Sequence, residues 1–333
     1  MLFRSLSGRV QTAALEAMGD YKGTIGVYNY KTGELLCAVT TPTYDPDNAP
    51  NIDENAEQFD GIYVNRFTQS LYTPGSIFKI VTLAAALETI PDITEQTFVC
   101  RGSCIIDDQK IICDGTHWEQ DLKTAFRNSC NCAFAEIAQQ LGKETLSRYV
   151  QQFGVTESVS FDGITTAKGQ FDLTDANVAD TAWAGVGQYT DLVNPCSFLS
   201  FVGAIADGGK GVTPYLVEKV TSDGITSYSA EISDGDLIMS KSTAQVLQEY
   251  MAFNVTDKYG SENFPGLTVC AKTGTAEVGG DKKPNAMIAG FVADEQYPLA
   301  FVVAVEDAGY GKTVCVPILS AVLAECKAVL DGQ

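Results

Sequence analysis

Two side chains that can do nucleophilic chemistry together stand three residues apart in Tyr72-Thr73-Pro74-Gly75-Ser76-Ile77-Phe78-Lys79-Ile80-Val81-Thr82. A serine hydroxyl is a poor nucleophile at neutral pH and needs a base beside it. A lysine is such a base only when neutral, and the apolar neighbours Ile77, Phe78, Ile80 and Val81 push an amine toward that form. Pro74-Gly75 stops whatever precedes, and the apolar run from Ser76 to Ile90 predicts a buried helix with Ser76 in its first turn. Residues three apart share a helix face. The Lys79 amine would then reach the Ser76 hydroxyl, and the free N–H groups of the first turn would point to the same place, an anion site.

Two later stretches supply complementary groups. In Ser129-Cys130-Asn131, where a polar run meets an apolar helical one, the hydroxyl can pass a proton from Lys79 to a leaving amine. The Asn131 amide both donates to and accepts from a peptide bond. In Lys272-Thr273-Gly274-Thr275, inside a strand pattern, glycine marks the close approach of a ligand or another backbone. A lysine and two hydroxyls beside it make a carboxylate site. Each stretch has a bland reading when taken alone: the serines as helix N-caps, and K-T-G as a common turn, of which Lys31-Thr32-Gly33 is an example in this chain. The only histidine, His117, is beside no G-x-S-x-G pattern, so lysine rather than histidine is the base expected for Ser76.

The elements that must position these groups read as follows. Residues 7–19 form an amphipathic helix. Thr24–Tyr30 and Glu34–Thr41 are strands joined by the Lys31-Thr32-Gly33 turn, and Pro42–Asn51 is a loop. Asp121–Leu141 has helical spacing, and 142–265 alternates helical runs with loops. Leu267–Val278, Ala286–Ala293 and Leu299–Glu306 are strands, and a helix covers about 316–330. Early and late strands with helices between them predict an α+β fold: one antiparallel sheet built from both ends of the chain, with an inserted helical lobe. The sheet lobe would take about 1–70 and 260–333 and the helical lobe about 71–259 of one domain spanning 1–333, with a cleft between them.

With 333 residues, 45% of them hydrophobic, the chain can bury a large core. Its 42 acidic against 22 basic residues, net −20, repel nucleic acid and anionic membrane surfaces. No run reaches the roughly eighteen uninterrupted apolar residues of a membrane span, and Met1-Leu2-Phe3-Arg4-Ser5 lacks the apolar core of a signal peptide. Of ten cysteines, Cys37, Cys130, Cys132, Cys196, Cys270 and Cys326 suit small buried hydrophobes, and Cys315 has no reading. Cys100, Cys104, Cys113 and His117 match the ligand count and type of a tetrahedral Cys₃His zinc site. A Cys100 to Cys113 disulfide is the alternative.

The set S-x-x-K, S-x-N and K-T-G, in this order, resembles the active-site serine penicillin-recognising enzymes. YTPGSIFKIVT, the 121–142 stretch, GVGQYTDLVNPCSFLSFVGAIADGGKGVTPYLV, KTGTAE and NAMIAGFVAD extend the likeness over nearly the whole chain, to the transpeptidase domain of class B penicillin-binding proteins. The resemblance implies the penicillin-binding transpeptidase and serine β-lactamase-like fold. It makes Ser76 the acyl-accepting nucleophile, Lys79 its base, Ser129 a proton shuttle, Asn131 a binder of the substrate amide and Lys272 an electrostatic anchor. Thr273 and Thr275, flanking Gly274, would hold the terminal carboxylate, and the N–H groups of Ser76 and Thr275 would form the oxyanion hole.

The implied reaction is cross-linking of peptidoglycan stem peptides ending in D-Ala-D-Ala, inhibited covalently by β-lactams. It takes place at the extracytoplasmic face of the bacterial membrane beside a glycosyltransferase partner, with no cofactor for the chemistry. Some class B members bind zinc between S-x-x-K and S-x-N, in keeping with a structural zinc here. The family's N-terminal membrane helix and stalk domain have no counterpart in this sequence, which suggests a truncated chain. Tyr189 stands where the family often has a small residue. The alternatives are a serine β-lactamase or D,D-carboxypeptidase, and a β-lactam sensor domain. The E-x-x-L-N pattern of class A β-lactamases is missing, and sensors more closely resemble class D enzymes.

Overall fold

The computed structural model describes residues 2–53, 59–232 and 235–332. The lobe limits read from the sequence also include residues 1, 54–58, 233–234 and 333, which lie outside the described residues. Five strands form the main sheet in the order Val269–Ala276, Asn285–Val292, Leu299–Val305, Gly23–Asn29, Leu35–Thr41. Every neighbouring pair is antiparallel, so the expected sheet, built from both chain ends, is what forms.

Both faces of the sheet are covered, which is why strands such as Leu299–Val305 are buried along their whole length. Ile25, Val27, Ile288, Phe301 and Val303 face one core, shared with the helices Gly8–Met18 and Gly311–Leu330. Their strand neighbours Tyr28, Ala289, Ala300 and Val302 face the other, shared with the helices Lys79–Thr89, Asn131–Gln152 and Pro195–Ala206. By length and composition alone Gly311–Leu330 could cross a membrane. Here it packs on the sheet, with Val314, Leu319, Val322 and Leu323 buried.

At one stretch the structure supplies an element the sequence reading left unassigned, and at two it departs from that reading. The cysteine-rich stretch is a long hairpin, Thr97–Ile106 with Gln109–Asp121. The predicted helix over 121–141 is two helices, Leu122–Asn128 and Asn131–Gln152, broken at Ser129-Cys130. Val217–Ser222 and Ile225–Ser229 pair with each other, and Leu2–Arg4 adds to the first, where only helical runs and loops were expected. Ile225–Ser229 is exposed throughout and gives no alternating signal to read.

The Ser76 segment is a tight 3₁₀ turn, Gly75–Phe78, that runs into the helix Lys79–Thr89. With three residues per turn, side chains three apart lie one directly above the other, so Lys79 is stacked on Ser76. Two glycines hold this turn. A Cβ at Gly274 would meet the Pro74 carbonyl oxygen at 2.9 Å and the Ile77 nitrogen at 3.2 Å, so the K-T-G strand lies directly against the turn's backbone. Gly187, at φ +91°, accepts a hydrogen bond from the Gly75 N–H at 2.9 Å, and a Cβ there would strike the Gly75 carbonyl at 2.2 Å.

Candidate active site

Lys79 is fully buried, and its Nζ lies 2.9 Å from Ser76 Oγ, 2.8 Å from the Ser129 carbonyl, 3.2 Å from Ser129 Oγ and 2.6 Å from Asn131 Oδ1. Burial pushes its amine down to about 8. On losing a proton it keeps two N–H donors, enough for the Ser129 carbonyl and Asn131, and gains a lone pair that can face Ser76. The Lys272 Nζ lies 2.9 Å from Ser129 Oγ and 2.9 Å from the Thr273 carbonyl. Ser129 Oγ therefore bridges two buried amines. Burial first, then the charge of Lys79, drives Lys272 well below an ordinary amine. Two ammonium groups this close and this dry disfavour each other's charge.

Backbone geometry sets Ser129. It caps the helix Leu122–Asn128 in the left-handed region, φ +57°, with its N–H bonded to the Phe126 carbonyl at 3.0 Å. A non-glycine residue held there costs on the order of 1–3 kcal/mol, which the surrounding packing must offset. The reversal lets Ser129 and Asn131, at the start of the next helix, both face Lys79. The Asn131 Nδ2 donates to the Ile112 carbonyl at 2.8 Å, which ties the amide to the hairpin.

On the K-T-G strand, Thr275 Oγ1 accepts from the Gly311 N–H at 3.2 Å, placing the positive end of the Gly311–Leu330 helix beside it. Thr273 is engaged differently: its N–H and hydroxyl both donate to the Tyr259 phenol, at 3.0 and 3.1 Å. Nothing in the sequence pointed to Tyr259. Next to it, the Lys258 amine reaches the Arg127 carbonyl at 3.3 Å, spanning from the K-T-G side of the cleft to the S-x-N side.

The cysteine reading needs one correction. The ligand atoms of Cys100, Cys113, His117 and Cys130 all lie within 4.8 Å of one another, and Cys104 is not among them. Cys104 is four residues along the same strand from Cys100, opposite Ile111, whereas Cys100 is opposite Trp118. The hairpin's register shifts between the two, and Cys104 meets Cys132 instead, whose Sγ lies 3.6 Å from that of Cys100. The fourth group is Cys130, which the sequence reading took for a buried hydrophobe. Its signal was its place inside S-x-N.

The four groups suit a metal. Zinc–thiolate arms of about 2.3 Å in a tetrahedron set ligand atoms about 3.8 Å apart. Cys113 Sγ lies 3.7 Å from His117 Nδ1 and 3.9 Å from Cys130 Sγ. The Asn131 N–H donates to Cys113 Sγ at 3.2 Å. Thiol hydrogen bonding, first with Cys130 and then with Cys132, holds Cys113 far below the usual thiol range. All ten cysteines are free thiols, Cys100 and Cys113 included.

Comparison with known proteins agrees with this geometry. Residues 23–324 match the Transpeptidase family, the penicillin binding protein transpeptidase domain. Stage V sporulation protein D of Bacillus subtilis is 29% identical over 327 residues, covering 92% of this chain and 49% of that protein. The peptidoglycan D,D-transpeptidase PbpA of Mycobacterium tuberculosis is 28% identical, covering 99% of this chain and 72% of its own. This chain therefore spans about half the length of the first relative and under three quarters of the second.

Among solved structures, the D,D-transpeptidase domain of a peptidoglycan glycosyltransferase from Eggerthella lenta superposes with a TM-score of 0.88 at 26% identity, over 99% of this chain and 83% of that one. Penicillin-binding protein A from M. tuberculosis, as a penicillin G acyl-enzyme complex, gives 0.86 at 25% identity, over 97% of this chain and 80% of that one. With S-x-x-K, S-x-N and K-T-G brought together in one cleft, and the match running from the first strand of the main sheet into its last helix, this chain belongs to the penicillin-binding protein transpeptidase domain family.

Proposed function

We propose that the chain is a peptidoglycan D,D-transpeptidase, working through a serine acyl-enzyme and acylated by β-lactams. The observation that carries the reading is the buried Lys79 amine 2.9 Å from Ser76 Oγ, with Ser129 Oγ bridging it to Lys272. A stem peptide lies along the open edge of the Val269–Ala276 strand, its terminal carboxylate at the Lys272-Thr273-Gly274-Thr275 end. That negative charge lets Lys272 hold a proton, and the charge on Lys272 in turn disfavours the ammonium form of Lys79. Ser76 Oγ attacks the penultimate D-Ala carbonyl and gives its proton to Lys79. The oxyanion is met by the Ser76 and Thr275 N–H groups. Ser129 relays the proton to the leaving amine, the terminal D-Ala departs, and an amine of a second stem takes the acyl group from Ser76. Asn131 holds the substrate amide.

Cys100, Cys113, His117 and Cys130 would hold a structural zinc. When bound it ties the hairpin to the S-x-N turn and supplies no chemical step. One transpeptidase domain with the two lobes described, a place at the extracytoplasmic face of the bacterial membrane and a glycosyltransferase partner complete the proposal. The test is intact-mass measurement after penicillin treatment. The parent protein should gain one penicillin, and Ser76→Ala none while still folded. An adduct on Ser76→Ala would move the nucleophile elsewhere. Slow release of the adduct together with cross-linking of stem peptides is the transpeptidase outcome; fast release is the hydrolase outcome.

A further inference from the structure

We infer that Cys104 and Cys132 are a disulfide site, separate from the zinc ligands, through which oxidation ties the hairpin to the helix that begins at Asn131. The inference rests on the zinc set and the extracytoplasmic place proposed above, where disulfides persist.

The two thiols are what remains once the metal ligands are taken out. Cys100, Cys104, Cys113, Cys130, Cys132 and His117 gather where the hairpin of Thr97–Ile106 and Gln109–Asp121 packs on the helix Asn131–Gln152. Cys100, Cys113, Cys130 and His117 make up the metal set. Cys132 Sγ lies 3.6 Å from Cys100 Sγ, and the Cys132 thiol is hydrogen-bonded with Cys104, Cys113 and Cys130. Three of its four thiol neighbours are therefore metal ligands, and a sulfur whose lone pair is engaged by zinc is a poor nucleophile toward a disulfide. Cys104 is the fourth, and its own hydrogen-bond partner is Cys132.

The packing around Cys104 agrees. It sits against a small buried cluster of Ile106, Ile111, Ala135, Ala179 and Ala182. Ala135 is three residues along the helix from Cys132 and shares its face, so the strand lays Cys104 along that same face. The register shifts between Cys100 and Ser103 offset Cys104 from the metal ligand on its own strand.

Access sets the order of events. Cys104 is partly exposed, and Cys132 is buried. The oxidant is a small disulfide, of which oxidised glutathione is the type. Cys104 Sγ attacks one sulfur of its S–S bond, and the other sulfur leaves with the proton that Cys104 gives up. Cys132 Sγ then attacks Cys104 Sγ and breaks the mixed disulfide, and the second glutathione leaves with the Cys132 proton. Two protein thiols have lost two electrons and two protons, and the oxidant has become two thiols. The new bond stands one residue from Asn131, whose Oδ1 is 2.6 Å from the Lys79 amine, so it braces the S-x-N turn against the hairpin.

The test treats reduced, zinc-loaded protein with oxidised glutathione, then alkylates it and reads intact mass, linked peptides and zinc content. The parent should lose two hydrogens, show a Cys104–Cys132 link and keep its zinc. Cys132→Ser should stop with one glutathione on Cys104, and Cys104→Ser should not react. After chelation the oxidised parent should melt a few degrees above the reduced one. A parent that does not react, keeps glutathione on Cys104, or links through Cys100, Cys113 or Cys130 overturns the inference. Equal melting of the two chelated forms overturns the bracing role. A protein that binds no zinc would sink the metal reading alone: in it a Cys104–Cys132 link still supports the inference, and a Cys100–Cys132 link defeats it.

Discussion

The acylation rate should rise with pH in a way set by one amine. Lys79 is fully buried and its amine is pushed down to about 8, with desolvation as the leading cause. Only the neutral amine can take the Ser76 proton. At pH 7 roughly one tenth of the molecules hold it neutral, and at pH 9 roughly nine tenths, a gain of about tenfold. Below pH 7 the rate should fall about tenfold per unit. Benzylpenicillin acylation under second-order conditions, followed by intact mass between pH 5.5 and 9.5, reads this directly, because the drug's own carboxylate stays ionised throughout. Lys79→Arg, which stays charged, should lose the rise and most of the rate at every pH. A parent profile flat from pH 6 to 9, or one that falls as pH rises, would refute Lys79 as the titrating base.

Other outcomes follow from neighbouring observations. Cys130→Ser should abolish stoichiometric zinc binding in protein refolded with zinc, whereas Cys104→Ser should retain it; elemental analysis with a thiol count distinguishes them. In the zinc-loaded protein a chelator should lower both the melting temperature and the acylation rate, since the cluster reaches Asn131 through Cys113. Asp191 is almost wholly buried, both its oxygens lack a partner among the described residues, and burial raises its carboxyl well above the usual range. The folded pKa lies above the unfolded one. Stability is therefore full below the ordinary carboxylate range, near 4, and is lost as pH rises toward the raised value, by up to about 1.4 kcal/mol per unit. Asp191→Asn should flatten that decline in a series of melts. Gly187→Ala, forced against the Gly75 carbonyl at positive φ, should slow acylation by tenfold or more through displacement of the Ser76 turn, with a melting-temperature loss of several degrees. Parent-like acylation by that variant would show that the Gly75–Gly187 contact does not position Ser76.

The sequence by itself determined what depends on neighbours in the chain. Three-residue spacing on a helical turn stacks Lys79 on Ser76 whether the turn is α or 3₁₀, and strands buried on both faces, such as Leu299–Val305, announce themselves by continuous apolar content. The antiparallel sheet, the Ser76–Lys79 pair and the K-T-G strand were legible for that reason. What only the tertiary structure decided involves partners far apart in sequence. Cys130 joins Cys100, Cys113 and His117 because a hairpin folds over the start of the helix Asn131–Gln152, and Cys104, beyond a register shift in that hairpin, meets Cys132 instead. Tyr259 meets Thr273 fourteen residues on because a π-turn brings the chain back beneath an edge strand. Asp191, a lone carboxylate in a loop, gave no sign that the fold would bury it. Composition reports what a residue can do. Which of its protons and lone pairs stay free is settled only when the packed chain has used up the rest.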